Sequence, residues 1–276
     1  MSLLSPNFRA DLHTHTTCSD GILTPEQLIK EAKKQGLSGL SITDHDTLSA
    51  YETAFPIAEQ ENILLGTGIE ISSWMKDTSI HILGYAIDVR SEALQALCTQ
   101  NKQERSIRNK KIINILGKKN MPIDEEKLIQ LESLGVTVGR PHIAKLLVDA
   151  GYVSSIKEAF NRYLADGACC YVQRELPSPA KAIEVIHEAG GKAFIAHPHL
   201  IKNKKFLLSL LEEPFDGIEC YWGLSSPTQE KYLLNIASSR HLLISGGSDY
   251  HGYSHTHLGS SWVDALSFSA IFEETV

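Results

Sequence analysis

Histidine and acidic residues recur where the predicted strands end, and this distribution suits the binding of metal ions. His13 and His15 alternate along one predicted strand, so both side chains point to the same face. In α/β barrels, functional groups gather at the carboxyl ends of the strands. The nine candidate ligands are His13, His15, Asp20, His45, Glu70, His81, His197, Asp249 and His251.

The mixture of ligand types indicates the chemistry. Imidazoles and carboxylates suit Mn²⁺, Fe²⁺ or Zn²⁺, and the lack of a cysteine in the set argues against a closed structural zinc site. Two such ions about 3.5–4 Å apart can share a hydroxide, polarise a phosphoryl oxygen and stabilise the leaving oxygen. The pattern therefore predicts hydrolysis by a metal-activated hydroxide, without a covalent enzyme intermediate, and a phosphoester suits this chemistry.

Taken singly, these residues have ordinary explanations. A His-x-His pair is usually a surface pair or a pair with satisfied hydrogen bonds. Glu70 could be a buried ion-pair partner, and His197 could be a loop residue before Pro198. The joint occurrence of nine such residues at consecutive strand ends favours a metal site instead.

The elements that must position these residues alternate between strand and helix. Thr24-Pro25-Glu26-Gln27 has the pattern of a helix start, with Thr at the N-cap, Pro at N1 and Gln at N3. Further helices are expected near 48–60, 178–190, 206–212, 227–240 and from 265. Strands are expected near 8–12, 37–42, 63–71, 79–87, 192–196, 217–221 and 242–245.

Residues 91–168 interrupt this alternation. They predict consecutive helices, with stops near Gly117, Gly135 and Gly151, and no convincing strand. The simplest interpretation is an α/β domain of residues 7–98 and 171–276, interrupted by a helical insertion of residues 99–170.

Charge is distributed unevenly along the 276 residues, which have 26 Lys and Arg against 33 Asp and Glu. Residues 99–121 carry a net charge of +6, which leaves −13 on the rest of the chain. An acidic body with one basic segment is not typical of a general nucleic-acid binder. It suits a site that attracts phosphates locally.

Composition also bears on the cellular compartment. Five cysteines, an odd number without C-x-x-C spacing, favour reduced thiols over a disulfide framework. The N-terminal residues show no basic region followed by an apolar stretch, and no apolar run approaches the ~20 residues of a spanning helix. We therefore expect a soluble, cytoplasmic protein that has no membrane contact and no obligate protein partner.

The order of the motifs resembles that of the PHP (polymerase and histidinol phosphatase) family over the whole chain. The matching motifs are His-x-His at 13–15 followed by Asp20, Thr-Asp-His-Asp at 43–46, Gly-x-Glu at 68–70, His81, Ala-His-Pro at 196–198 and Ser-Asp-x-His at 248–251. The resemblance implies an α/β fold, namely a distorted (β/α)7 barrel that holds up to three divalent metals.

Within the family, the chain is most similar to the stand-alone phosphoesterases. Their helical insertion falls at the same place and carries an Arg-Pro-His sequence like that of residues 140–142. Members of that branch hydrolyse nucleoside 3′,5′-bisphosphates and trim RNA from its 5′ end. The resemblance thus implies a metal-dependent phosphoesterase whose substrate is a small nucleotide or a short oligonucleotide.

The resemblance also implies how two or three metals share the ligands. Glu70 bridges two metals, and both Glu70 and Asp249 take part in catalysis. Asp20 stands where some relatives carry histidine, and either residue can bind a metal. The first metal takes His13, His15, Glu70 and Asp249, the second takes Asp20, His45 and His251, and the third takes His81, His197 and Glu70.

Residues beside the ligands could orient them. Asp11 and Asp44 lie close in sequence to ligand histidines, and their carboxylates could accept hydrogen bonds from the imidazoles. The alternative for each is an ordinary turn aspartate.

Arg140 is the residue best suited to bind a substrate phosphate, because a planar guanidinium can donate two hydrogen bonds to it. It stands at a predicted helix start, where backbone N–H groups also favour anions. We expect it to serve both catalysis and substrate binding; the alternative is an exposed helix cap. His142 could contact phosphate or pack within the insertion. Lys102, Arg105 and Arg108 recur along one helical face and either guide phosphates or form a solvated face.

Two other functions stay open from the sequence. A histidinol-phosphate phosphatase, or another small-molecule phosphatase, would use the same metals, but the insertion with its Arg-Pro-His sequence favours the nucleotide branch. A non-catalytic metal-binding module would have lost ligands, and here all nine positions are filled.

Overall fold

The computed structural model describes residues 7–253 and 256–273, and the chain forms two compact units. The first unit takes in 1–98 and 177–276, and the second is 99–176. Residues 171–176, assigned to the barrel from the sequence, group with the insertion. One reason is that the ring of Tyr171 packs on Arg140, with 5.7 Å between the ring centre and the guanidinium carbon.

Seven strands of the first unit form a nearly closed barrel, in which neighbours follow chain order. The backbone N–H of Leu12 donates to the carbonyl of Gly246 at 3.2 Å, between the first strand and the last. The predicted distorted barrel is confirmed. Its strands are β1 (Ala10–Asp11), β2 (Gly39–Ile42), β3 (Leu64–Met75), β4 (Thr78–Tyr85), β5 (Lys192–Ile195), β6 (Gly217–Trp222) and β7 (Leu243–Gly247).

The distortion lies at β4, which pairs antiparallel with both β3 and β5, whereas the other pairs are parallel. β3 and β4 therefore form a long hairpin, whose register places Glu70 opposite Leu83 and Ser72 opposite His81. The sequence places Glu70 near the end of its strand. Instead β3 continues to Met75, because β4 pairs with it along that length.

Ten α-helices are described, and their starts follow local signals. In the first of them, Thr24 Oγ1 accepts the N–H of Gln27 while Gln27 Oε1 accepts the N–H of Thr24, as predicted. None of the described helices is both long enough and apolar enough to cross a membrane. The helices are α1 (Pro25–Lys34), α2 (Ala50–Glu61), α3 (Glu92–Lys118), α4 (Glu125–Ser133), α5 (Arg140–Asp149), α6 (Ile156–Ala159), α7 (Pro179–Glu188), α8 (Lys204–Leu210), α9 (Pro227–Arg240) and α10 (Ala265–Phe272).

Helices are the only regular secondary structure among the described residues of the second unit, and loops connect them. The unit boundary at 98/99 falls inside α3, and α4, α5, α6 and a π-helical turn at Phe160–Leu164 follow. Its own apolar core includes Ile112, Leu116, Ile143 and Leu147. A unit with its own core can hold its shape without supplying strands to the barrel.

Side chains fill the interior of the barrel. Leu12, Leu83, Tyr85 and Phe194 are buried there, and the hydroxyl of Tyr85 donates to the carbonyl of Leu12 at 2.9 Å. Burial of each such side chain contributes about 1.5–3 kcal/mol to stability. The barrel is therefore a packed scaffold that fixes where its strands end.

Candidate metal centre

All nine predicted ligands lie in the first unit, and they reach one cluster from six strands or the loops that follow them. Glu70 is within β3 and His81 within β4. Bridges between His45 and Glu70, and between Thr14 and Tyr250, extend the strand pairing into the cluster. The others follow strands: His13, His15 and Asp20 follow β1, His45 follows β2, His197 follows β5, and Asp249 and His251 follow β7.

Glu70 is the centre of this cluster and is almost fully buried, at 1% exposure. Its Oε1 lies 2.8 Å from Nδ1 of His81 and 3.0 Å from Nε2 of His197. The two carboxylate oxygens face two different groups of histidines. Oε2 faces the second group, at 2.9 Å from His45, 3.2 Å from His15 and 3.4 Å from His13.

Two aspartates complete the cluster. Oδ1 of Asp249 lies 3.4 Å from Nε2 of His13 and 3.3 Å from Nε2 of His15. Asp20 faces the other side, with Oδ1 at 3.3 Å from Nε2 of His251 and Oδ2 at 3.8 Å from Nε2 of His45.

Three groups of ligand atoms are compact enough to hold a cation each, with the atoms of each group within 4.8 Å of one another. One group equals the predicted first set. The second contains its predicted residues and also His15, and the third combines Glu70 and His81 with His45. His197, which the prediction has in the third set, contacts Glu70 but stands outside that group. The groups are His13, His15, Glu70 and Asp249; His15, Asp20, His45 and His251; and His45, Glu70 and His81.

Several of these ligand atoms are buried with no hydrogen-bond partner in the described part of the chain. A buried polar atom left in that state costs about 1–3 kcal/mol. Divalent cations would satisfy these atoms together, so the donor set fits such metals. The atoms are Nε2 of His13, both ring nitrogens of His15, Oδ1 of Asp20, Nδ1 of His45 and Oε2 of Glu70.

The carboxylates stay ionised in spite of their burial. Burial raises the pKa of Glu70, but the nearby imidazoles, His45 first, outweigh it and hold that pKa well below its ordinary value. Asp20 and Asp249 also have a pKa well below the ordinary value, because neighbouring histidines outweigh burial. Burial is the largest effect on His45 and lowers its pKa to about 4, although the carboxylates of Glu70 and Asp20 act in the opposite direction.

Two residues that the sequence motifs do not mark hold the ligands in place. Glu219 on β6 is fully buried, and its Oε1 lies 2.9 Å from Nδ1 of His13, so Nε2 of that ring faces the cluster. Its other oxygen accepts the backbone N–H of His197. Trp222 donates from Nε1 to Oδ2 of Asp249 at 3.3 Å, which leaves Oδ1 for the histidines.

Asp11 and Asp44 do not orient imidazoles, so that prediction is wrong. The carboxylate of Asp11 accepts both the N–H and the O–H of Ser248, at 2.8 and 2.6 Å. Asp44 accepts both the N–H and the O–H of Thr16 and also the hydroxyl of Ser19. Each buried carboxylate thus fixes a loop that carries candidate ligands. This role is closer to the alternative of a turn aspartate.

Two candidate ligands have a left-handed backbone, His197 with φ 32° and Asp249 with φ 52°. This conformation costs a residue other than glycine on the order of 1–3 kcal/mol, and it persists only where the surroundings enforce it. The hydrogen bond from the His197 backbone to Glu219 is one such constraint. Backbone strain of this kind concentrates at functional sites.

Arg140, the predicted phosphate anchor, lies in the second unit at the first position of α5, as the sequence predicts. Its Nη1 donates to Oδ1 of Asp166 at 2.7 Å and to the carbonyl of Leu164 at 3.0 Å. The rings of Phe160 and Tyr171 also lie within 6 Å of its guanidinium carbon. The side chain is 26% exposed, so Arg140 is partly buried at the start of α5.

His142 and Lys102 both contact the backbone of the insertion. Nδ1 of His142 accepts the N–H of Gly139 at 3.0 Å and so caps α5. Nζ of Lys102 donates to the carbonyl of Gly135 at 3.1 Å. Both residues therefore have a structural contact within the second unit.

Arg105 and Arg108 are buried, at 6% and 4% exposure, so the alternative of a solvated face is wrong for these two. The guanidinium of Arg108 donates to Oδ1 of Asn109 at 2.9 and 3.2 Å. Burial, and then the charges of Arg174, Arg105 and Arg140, hold the pKa of Arg108 well below its ordinary value. Like charges buried together are costly, and a bound anion would relieve that cost.

A seven-stranded barrel with a buried histidine and carboxylate centre is the architecture of a metal-dependent hydrolase. The sequence model of the PHP domain family matches residues 11–166, which is more than half of the chain. This chain belongs to the PHP family, as its motifs predict.

Similar proteins agree with this assignment. The 5′-3′ exoribonuclease Rnm of Escherichia coli is 36% identical over 248 residues, 87% of this chain and 84% of that protein. The 3′,5′-nucleoside bisphosphate phosphatase of Chromobacterium violaceum is 32% identical over 248 residues, 87% of this chain and 86% of that one. A metal-dependent phosphoesterase from Bifidobacterium adolescentis has a solved structure that matches with a TM-score of 0.88, at 31% identity over 96% of each chain.

Proposed function

We propose that this enzyme hydrolyses phosphate esters of nucleotides, namely nucleoside 3′,5′-bisphosphates and short oligoribonucleotides that it shortens from the 5′ end. The observation that carries the proposal is the convergence of ionised carboxylates and unpartnered imidazole nitrogens on Glu70. The two relatives described above are named for these two activities, and each matches most of the chain.

Two or three divalent metals, Mn²⁺, Fe²⁺ or Zn²⁺, belong on the nine ligands in this proposal. When bound, they supply Lewis acidity towards a phosphoryl oxygen and activate water as the nucleophile. Glu70 suits a bridging role, because its Oε1 faces His81 and His197 while its Oε2 faces the other histidines. The ionised carboxylates offset the charge of the cations, and the imidazoles bind them in the deprotonated form.

The chain's own residues prepare the centre. Glu219 fixes the tautomer and the direction of the His13 ring, and Trp222 fixes the direction of the carboxylate of Asp249. Glu70 and Asp249 act in catalysis by holding the metals against the reacting phosphate.

The insertion supplies substrate recognition in this proposal. Arg140 and Arg105 belong to a group of arginines that includes the buried Arg108, and such a group suits the second phosphate of a bisphosphate. Lys102 adds positive charge. His142 caps α5 through Nδ1, and its place in the same helical turn as Arg140 makes it a further proposed phosphate contact.

Phosphate release from a panel of substrates, with Mn²⁺ added, tests the proposal. The panel comprises nucleoside 3′,5′-bisphosphates, 5′-phosphorylated short RNA, short DNA, histidinol phosphate and p-nitrophenyl phosphate. The highest kcat/KM should belong to the bisphosphates or the RNA. A higher kcat/KM on histidinol phosphate would assign the enzyme to small-molecule phosphate metabolism instead.

A further inference from the structure

Two adjoining depressions in the first unit lead away from the cluster. The first, of about 570 Å³, has His81 and His197 in its wall. The second, of about 320 Å³, adjoins it at Ile201 and Lys202, which line both. Because it starts at two candidate metal ligands, this combined groove is a path along which a substrate can extend beyond the reacting phosphate.

The charge of the groove has one sign. Lys76 lines the first depression, Lys202 lines both, and Lys204 lines the second. Among the described residues that line either depression there is no Asp or Glu, although the chain has 33 of them and a net charge of −7. We call this the lysine groove, defined by Lys76, Lys202 and Lys204. A groove lined by one sign of charge concentrates ligands of the opposite sign, here anions.

Apolar and aromatic surface lies between the lysines. Phe206 lines the first depression, as does Leu200, which is 57% exposed. Tyr232 lines the second, with Nζ of Lys204 at 4.7 Å from its ring centre. Cationic side chains that follow a phosphate backbone, together with aromatic faces on which bases stack, are the means by which proteins hold single-stranded nucleic acid.

We propose that the lysine groove binds the nucleotides that follow the reacting phosphoester in an oligoribonucleotide. The inference rests on the proposed function and extends it. Lys76 and Lys202 contact phosphodiester groups, and the exposed Leu200, with the partly buried Phe206 and Tyr232 beside it, offers apolar surface to the bases. A nucleoside bisphosphate has no second nucleotide to fill the groove. The enzyme therefore favours a short RNA chain over a mononucleotide.

The test compares a nucleoside 3′,5′-bisphosphate with a 5′-phosphorylated tetraribonucleotide. The double variant Lys76→Gln/Lys202→Gln should lose about tenfold in kcat/KM on the tetranucleotide and less than about twofold on the bisphosphate. The matched control is Lys205→Gln, because Lys205 is exposed on α8 beside Lys204 but lines neither depression. It should leave both substrates unchanged.

A second measurement separates a phosphate contact from a change in fold. For each enzyme, the logarithm of kcat/KM on the tetranucleotide is plotted against the logarithm of salt concentration. The slope for the double variant should be less steep than that of the wild-type enzyme, by about 0.7 for each lysine removed. The proposal would be overturned if the double variant lost kcat/KM equally on both substrates, or if its salt dependence had the same slope as that of Lys205→Gln. A wild-type enzyme that hydrolyses the bisphosphate but gains nothing from a longer chain would overturn it and leave the proposed function standing. An enzyme inactive on every nucleotide would overturn both.

Discussion

Two candidate ligands near Glu70 are oriented by hydrogen bonds to the polar atom that faces away from the cluster. Nδ1 of His13 contacts the carboxylate of Glu219, and Oδ2 of Asp249 accepts the N–H of Trp222. In each case the remaining polar atom faces the cluster. Contacts of this kind set the tautomer and the direction of a ligand before a metal arrives. The centre is therefore organised by residues that do not themselves face a metal.

Glu219→Gln tests this organisation. The glutamine keeps the shape, but its NH₂ group cannot accept the N–H of His197 while its oxygen faces His13. Loss of such a supporting contact costs about 10–100-fold in metal affinity. Competition between the enzyme and a fluorescent Mn²⁺ chelator measures that affinity without depending on activity.

Asp216→Asn is the matched control. Asp216 lies just before β6, where its Oδ2 accepts the N–H of Ala193 at 2.7 Å and lies 2.7 Å from Nε2 of His187. It has the same kinds of partner as Glu219 but no contact with a ligand among its described bonds. If both variants lost metal equally, the effect would come from β6 and not from the orientation of His13.

Residue types at strand ends were enough to predict which side chains meet in the cluster, but not the residues that hold them. Glu219 contacts His13 across 206 positions of sequence, a pairing that no local pattern encodes. The available signal was an acidic residue between the buried Ile218 and Cys220 on a predicted strand. Asp11 lies close to His13 in sequence, but its carboxylate accepts hydrogen bonds from Ser248, 237 positions away, and closeness in sequence does not reveal that partner.

The approach of one element to another determines where the ligands stand. β7 passes so close to the end of β1 that a Cβ at Gly247 would lie 2.3 Å from the backbone nitrogen of His13. No side chain fits there. The glycine therefore permits the contact between the first and last strands that brings His13 towards Asp249.

Gly247→Ala should push these two strand ends apart. Overpacking of this kind typically costs about 1–3 kcal/mol of unfolding free energy. The displaced His13 should also weaken Mn²⁺ binding. Urea denaturation and metal competition measure the two effects.

Gly117→Ala is the control for this change. Gly117 lies in α3, and a Cβ there would meet nothing within 4 Å. Alanine should stabilise the helix by up to about 1 kcal/mol. If Gly247→Ala kept the wild-type stability and metal affinity, the close contact between these strand ends would not be needed for the centre.

Most of the strands and helices could be predicted from hydrophobic period and capping residues, because those signals are local. The reversal of β4 is not local. It places His81 opposite Ser72 and so brings its imidazole to Glu70, yet the residues of β4 alone do not specify an antiparallel partner. The resemblance implies a distorted barrel, but it does not identify the strand that is reversed.

The two units of the whole molecule differ in the charged residues that they contribute. The first holds the histidine and carboxylate cluster, and the second holds a group of arginines that includes Arg108 and Arg140. This difference is the reason for our proposal that the barrel performs the chemistry and the insertion recognises the substrate.

Arg140→Ala tests that division. The variant should lose roughly 1.5–3 kcal/mol of transition-state binding on a nucleoside bisphosphate, the value of a hydrogen bond to a charged group. It should lose little on p-nitrophenyl phosphate, which has no second phosphate. Steady-state kinetics on the two substrates give the comparison, and the metal content should not change.

Arg162→Ala is the control, because Arg162 is also in the second unit but is 54% exposed and paired with Glu158. It should change neither substrate. Equal losses on both substrates in Arg140→Ala would mean that Arg140 serves the reacting phosphate or the fold of the insertion. No loss on either would remove it from the site.

Removal and return of the metals is the most direct test of the claim that this centre performs the hydrolysis. Phosphate release is assayed before chelation, after chelation, and during stepwise addition of Mn²⁺, with the bound metal measured in the same samples. Activity should vanish with the metal and return in proportion to occupancy, and Glu70→Gln should regain neither full metal content nor wild-type kcat. Full activity in a sample that contains no bound metal would contradict the account.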